Sequence, residues 1–250
     1  MPDNKSISAL LSSSKSVEVN REQLGKIKCP KPTESHKPVP HLELVETLED
    51  RLKTVMGAKI IKEQFAVRRE GSTLFGVITL KYQDTEDGAA AIGLRTSNDR
   101  SMSLQFVAGL NVFVCDNMCL RGDMIMLKRM HTRKLNLVEE IDLGLSRFKD
   151  HYKLLTDEVA KLHKIKLTTP EAKSMIHDAF VDQQIMPLRY LAEVSREYFK
   201  PRHAEFAPRT AWSLHNAFTE VAKQMPMTPR MHATTELGRF LGMSQEKEAA

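Results

Sequence analysis

The hydrophobic pattern of this chain switches from a period of two to a helical period near Asn136, and that change constrains the fold more than any other feature. Between residues 58 and 130 apolar side chains recur at every second position. Ile61, Phe65 and Val67 alternate with Lys62, Gln64 and Arg68, and Leu74, Ile78, Leu80 and Tyr82 with Phe75, Val77 and Thr79. Ile92, Leu94 and Thr96 continue the pattern. Leu104, Phe106, Ala108, Leu110, Val112 and Val114 repeat it, with Gly109 as a mid-strand bulge or bend. A period of two sends successive side chains to opposite faces of a strand. Short polar breaks at Glu70-Gly71-Ser72, Gln83–Gly88 and Ser97–Ser101 favour antiparallel neighbours. A further short strand is expected over Met124–Met130.

After Asn136 the period is helical. Val138, Ile141, Leu145, Phe148, Tyr152, Leu155, Val159 and Leu162 are spaced alternately three and four apart. At about 1.5 Å per residue this seam runs for roughly 37 Å. Such a seam either packs on the sheet or forms a homo-oligomer contact through the 138–162 helix. Asn136 with Glu139 reads as a capping-box start. Thr169-Pro170 and Thr210 open further helices, Pro187 restarts one, and a last helix covers about Ala233–Leu241. An earlier amphipathic helix begins after Pro40 and ends at Gly57, with Leu44, Val45, Leu48, Leu52, Val55 and Met56 on one face.

The fold class expected is therefore α+β: an antiparallel sheet of four to five strands over 58–130, then a mainly helical C-terminal half over 136–242. Residues 42–242 form the single domain and 243–250 a tail. Residues 1–41 read as an extended Pro/Ser/Lys-rich arm, with four prolines between Lys28 and His41. Lacking apolar periodicity, the arm is expected to be dispensable for folding of the body.

The 250 residues are 41% hydrophobic and 28% charged, an ordinary globular balance. No run approaches the ~18 apolar residues of a membrane span, so no membrane partner is expected. Asp3 and the short Ala-Leu-Leu run do not make a signal peptide. Three cysteines, Cys29, Cys115 and Cys119, are odd in number and sparse, which points to a reducing cytoplasm.

The net charge of +5 is distributed unevenly. Residues 95–134 carry seven basic against three acidic side chains. The seven are Arg95, Arg100, Arg121, Lys128, Arg129, Arg133 and Lys134, a cluster suited to polyanions. The nucleotide and hydrolase signatures GxxxxGK(S/T), GxGxxG, HExxH and GxSxG are absent. Cys115, Cys119 and His131 are too few for a zinc site, which needs ligands converging tetrahedrally. Asp99, Asp116, Asn117 and Asp123 at strand ends could hold Mg²⁺, or simply serve turn chemistry. His131 could act as an acid or base, and Trp212, beside His215 and Asn216, could stack a base. Asp99, Asn117, His131, Trp212 and Asn216 are thus candidate site residues. No catalytic residue, metal or cofactor is assigned.

VFVCDNMCLRGD and EFAPRTAWSLHNAFTE, together with SHKPVPH, FGVITL, IGLRTSND and the His131-Thr132 step, carry a resemblance over about residues 20–242. The chain resembles the phage- and plasmid-like protein family that bears domain of unknown function 932. The resemblance implies a mobile-element setting. It implies no established activity and carries over no functional residues. In outline the expected fold is similar to the sheet-plus-helix single-strand annealing proteins of phages, a likeness of architecture alone. The expected function is non-enzymatic nucleic-acid binding, with single-stranded DNA as partner. The alternatives are a protein-interaction or regulatory factor acting on host defence, and a metal-dependent enzyme acting on nucleic acid.

Overall fold

The computed structural model describes residues 16–83, 88–112 and 118–242. Its centre is one six-stranded sheet whose strands lie side by side in chain order, each pair antiparallel. The strands are β1 (Val17–Val19), β2 (Lys59–Arg68), β3 (Thr73–Lys81), β4 (Gly88–Ser97), β5 (Leu104–Val112) and β6 (Met118–Arg129). Six strands exceed the four to five expected. The extra one is β1, whose three residues are too few to display an alternation and which lies in the polar arm.

The arm is accordingly part of the body from Val17 onward. β1 pairs with β2, and α1 (Arg21–Lys26) follows with a capping box between Asn20 and Gln23. Leu24 is buried in the main core. The Arg21 guanidinium bridges Glu49 and Glu63, with 2.7 Å to the latter. Beyond α1 the Pro-rich segment crosses one end of the sheet as a strap, and His36 forms an antiparallel bridge with Thr132.

The helices are α2 (His41–Arg51), α3 (Leu137–Lys164), α4 (Thr169–Val181), α5 (Leu191–Phe199), α6 (Ala211–Ala222) and α7 (Met227–Phe240). α2 continues through a π-helical turn, Leu52–Met56, and stops at Gly57, whose φ of +64° suits glycine. α3 lies against β5 and β6, and α7 also packs on β6. Arg51 on α2 grips Asp142 on α3 through both carboxylate oxygens, at 2.7 and 2.9 Å.

The α3 seam is spent inside the chain. Ile141, Leu145, Phe148, Tyr152, Leu155, Val159 and Leu162 are all buried in the main core, and Val138 alone of the eight is exposed. The face proposed for a homo-oligomer contact is therefore occupied by the protein itself. Asn136 does sit at the N-cap of α3, but its side chain makes no capping bond. The cap of α4 is Thr168 and not Thr169, and it pairs with Glu171 as a capping box. α7 starts at Met227, before the expected Ala233; Pro229 falls in its first turn, where a missing N–H leaves no bond unmade.

Cross-strand register sorts the sheet residues into two faces. Phe65, Gly76, Leu94, Phe106 and Leu127 form one row across β2–β6, within the main core apart from the glycine. Gly76 makes room for the Phe65 ring, since a Cβ there would sit 2.8 Å from Phe65 Cδ1. The neighbouring row, on the other face, is Ala66, Phe75, Arg95, Gln105 and Lys128. The register shifts around Val107 and Gly109, the irregularity expected at that glycine.

Candidate nucleic-acid interface

One end of the sheet gathers four segments far apart in sequence: the strap, the β2–β3 turn, the β4–β5 turn and the chain leaving β6. Three buried histidines lock them together. His36 Nδ1 lies 2.9 Å from the His131 carbonyl oxygen, and its Nε2 lies 3.3 Å from that of Asn98. His131 Nε2 meets the Thr96 hydroxyl at 2.7 Å, and the Lys37 amide donates to the His131 carbonyl at 3.0 Å. The Asn98 side chain accepts from the Val39 amide at 3.1 Å, and His41 Nε2 reaches the Gly71 carbonyl at 2.8 Å. Burial, then the neighbouring His36, pushes the His131 imidazole below its ordinary value. Bonded to Thr96 at a segment junction, the ring clamps that junction, and its Nδ1 makes no hydrogen bond among the described residues.

The basic residues divide by strand parity. Lys128 and Arg129 are adjacent in β6 and so lie on opposite faces. Lys128 pairs with Gln105 and is exposed; on the far side of Gln105 lies the half-buried Arg95, whose Nε donates to Gln105 Oε1 at 2.8 Å. Arg129 pairs with Leu104 on the helical side and is held 2.7 Å from Glu140 of α3. Arg100 projects from the β4–β5 turn and donates to Thr33 of the strap at 2.9 Å. Arg133 and Lys134 are exposed on the chain between β6 and α3. Arg95, Arg100, Lys128, Arg133 and Lys134 thus surround one sheet end, with Arg129 turned to the helices. The backbone of Arg121 is in β6, and its side chain lies outside the described residues.

Asp99 serves the β4–β5 turn. Its burial alone would raise its pKa, but hydrogen bonds from Ser101, Ser97 and Arg69 hold the carboxyl well below the usual range. The Ser101 amide donates to it at 2.9 Å and Arg69 at 3.1 Å. That is the turn reading of Asp99, with its oxygens already engaged. Cys115, Asp116 and Asn117 lie outside the described residues, as do the side chains of Cys119 and Asp123. Among the described residues, His177, Asp178 and Asp182 at the end of α4 place three ligand atoms within 4.8 Å of one another. They form a short-range cluster of mostly exposed groups.

Trp212 and Asn216 belong to α6, a helix buried on nearly all sides. Trp212 is 1% exposed and stacks on His215, with ring centroids 5.2 Å apart and planes 7° from parallel. Asn216 Nδ2 donates to the Trp212 carbonyl at 3.0 Å. A tryptophan so enclosed has no face to offer a base. Its surroundings are those of a core anchor.

Sequence reasoning did not find the strap junction. Its members, His36, Asn98 and His131, have no mutual spacing that a period or motif would reveal. The separation of Lys128 from Arg129, in contrast, was available from alternation alone.

The architecture is that of an α+β protein with a sheet in chain order, a long helix across it, and a basic sheet end clamped by a strap. The chain belongs to the family described as domain of unknown function (DUF932), whose model matches residues 32–238. No curated protein and no solved structure matches it. Among the described residues no helix is long and apolar enough to cross a membrane.

Proposed function

We propose that this protein binds single-stranded nucleic acid through the basic end of its sheet, without catalysis. The observation that carries the reading is the placement of Arg95 and Lys128 in one cross-strand row, flanked by Arg100, Arg133 and Lys134. The row continues into Phe75 and Ala66, which with Met102 form an apolar cluster apart from the main core. Phe75 and Ala66 are buried, so they anchor the row, and the cations grouped at its end suit a strand whose phosphates they neutralise. Such binding is expected to show little sequence preference, because phosphate contacts carry none.

The test is the salt dependence of binding to a single strand of about 30 nucleotides. Each neutralised phosphate contributes about −0.7 to the slope of log K against log salt, so four contacts give a slope near −3. Lys128→Ala with Arg133→Ala should flatten the slope by about one to two units with little change in melting temperature. Arg129→Ala should leave the slope nearly unchanged, because Glu140 already holds that guanidinium. Absence of retention at about 50 mM salt, where such contacts are strong, would end the proposal. So would an unchanged slope in the Lys128/Arg133 double variant.

A further inference from the structure

A cavity of about 180 Å³ opens at the clamped sheet end, lined by Ser35, His36, Arg100, Met102, Met130, His131 and Thr132. Its walls come from three separate segments: the strap, the β4–β5 turn and the chain leaving β6. We infer that this cavity takes one unstacked nucleobase of a bound single strand, an inference that rests on the nucleic-acid reading above.

Four observations point to that occupant. The first is size. At about 30 Å³ per water the cavity holds the volume of some six waters, the scale of one flat heterocycle, and it falls short of the ~300 Å³ of a typical small-molecule site. The second is lining chemistry. Two methionines and two imidazole rings supply polarizable and flat surfaces, and thioether sulfurs make favourable contacts with aromatic rings. Met130 is 62% exposed, a large apolar side chain held in water at the cavity although the core is close by. The third is position. Met102 also packs against Phe75, so the cavity adjoins the row that carries Arg95 and Lys128. A strand whose phosphates lie along those cations has a base within reach of the opening. The fourth is backbone conformation. Arg100 has φ of +66°, a left-handed conformation uncommon outside glycine, asparagine and aspartate. The Asp99 carboxylate stabilises the turn by accepting from the Ser101 amide. The result fixes Arg100 at the cavity wall with its guanidinium on Thr33 of the strap, where it can meet the phosphate of the inserted nucleotide.

The experiment compares two strands of equal charge and length, oligothymidylate of about 30 nucleotides and the same sugar-phosphate chain without bases. Base stacking on protein side chains is worth about 1–3 kcal/mol per base, so wild-type protein should prefer the base-bearing strand about fivefold or more. Met130→Ala should cut that preference about fivefold or more and leave the salt slope unchanged, since no phosphate contact is lost. Met130→Leu, which keeps an apolar side chain of similar size, should retain most of it. The side chain is largely exposed, so the alanine variant should melt with the wild type, and a matched melting curve is the control. Equal wild-type affinity for both strands overturns the inference, as does an alanine variant with undiminished preference; either result leaves phosphate binding at the sheet end standing. Retention of neither strand overturns the nucleic-acid reading itself, and the occupant with it.

Discussion

At Gly76 the absence of a side chain is what lets the sheet close on its own core. The Phe65 ring lies over it from the neighbouring strand, and Leu94 Cγ would be 3.0 Å from an added Cβ. Gly76→Ala should therefore destabilise the protein by about 1–3 kcal/mol, the usual cost of overpacking, measured by urea unfolding. Phe65→Leu in the same background should recover part of the loss by freeing the space. His215 is a residue of the opposite kind, polar and sealed in. Burial pushes its pKa from 6.5 down to about 4. Well above pH 6.5 the ring is neutral in folded and unfolded chains alike, and it adds no pH dependence. Below that, only the unfolded chain takes the proton, so acidification favours unfolding, by about 3 kcal/mol once pH nears 4. His41 and His131 are shifted in the same direction by burial and add to the trend. Urea unfolding at pH 7 and pH 5 should show the wild type clearly weaker at pH 5. His215→Phe, which keeps a ring against Trp212, should narrow the difference; an unchanged pH response in that variant would show that His215 does not carry it.

At the scale of elements, α3 is the longest and the most committed to the core. Leu145 and Leu155 are fully buried in its seam, and alanine at either should cost about 2–5 kcal/mol in chemical unfolding. The arm gives the matching prediction in the other direction from its sequence. A chain starting at Pro30 lacks β1, α1, the buried Leu24 and the Arg21 bridge to α2 and β2. It should lose more than about 2 kcal/mol, a large share of the ~5–15 kcal/mol of a typical domain. What was legible in the sequence followed from periodicity. The strands β2 to β5 and the α3 seam each run long enough for several repeats of their period, and Gly57 and Thr210 carry stop and start chemistry that the structure uses. β1 was not legible because three residues hold barely one repeat, and its pairing with β2 is decided by contacts nearly fifty residues away. Of the candidate site, the basic stretch could be read from charge, but its division between two faces and its union with the strap required the register and the tertiary path. Trp212 shows the limit from the other side: a composition signal, the single tryptophan, says nothing of whether the ring meets solvent or core.

On the scale of the whole molecule, the sheet and the helices divide the labour. The helices cover one face of the sheet and supply the bulk of the apolar core, while the strap, two turns and the exit of β6 converge at one end and leave the cations outside. The strand order has one more consequence. Because each strand from β3 to β6 pairs with the one just before it, this part of the sheet can zip up as the ribosome delivers it, with short connections to close and little waiting. The helices that shield its apolar face are all encoded after Asn136, apart from α1 and α2. During synthesis there is thus an interval in which Leu94, Phe106 and their row are assembled and uncovered. A chain halted near residue 136 should be sticky, binding hydrophobic dyes and engaging chaperones, and should turn soluble only once α3 has left the tunnel.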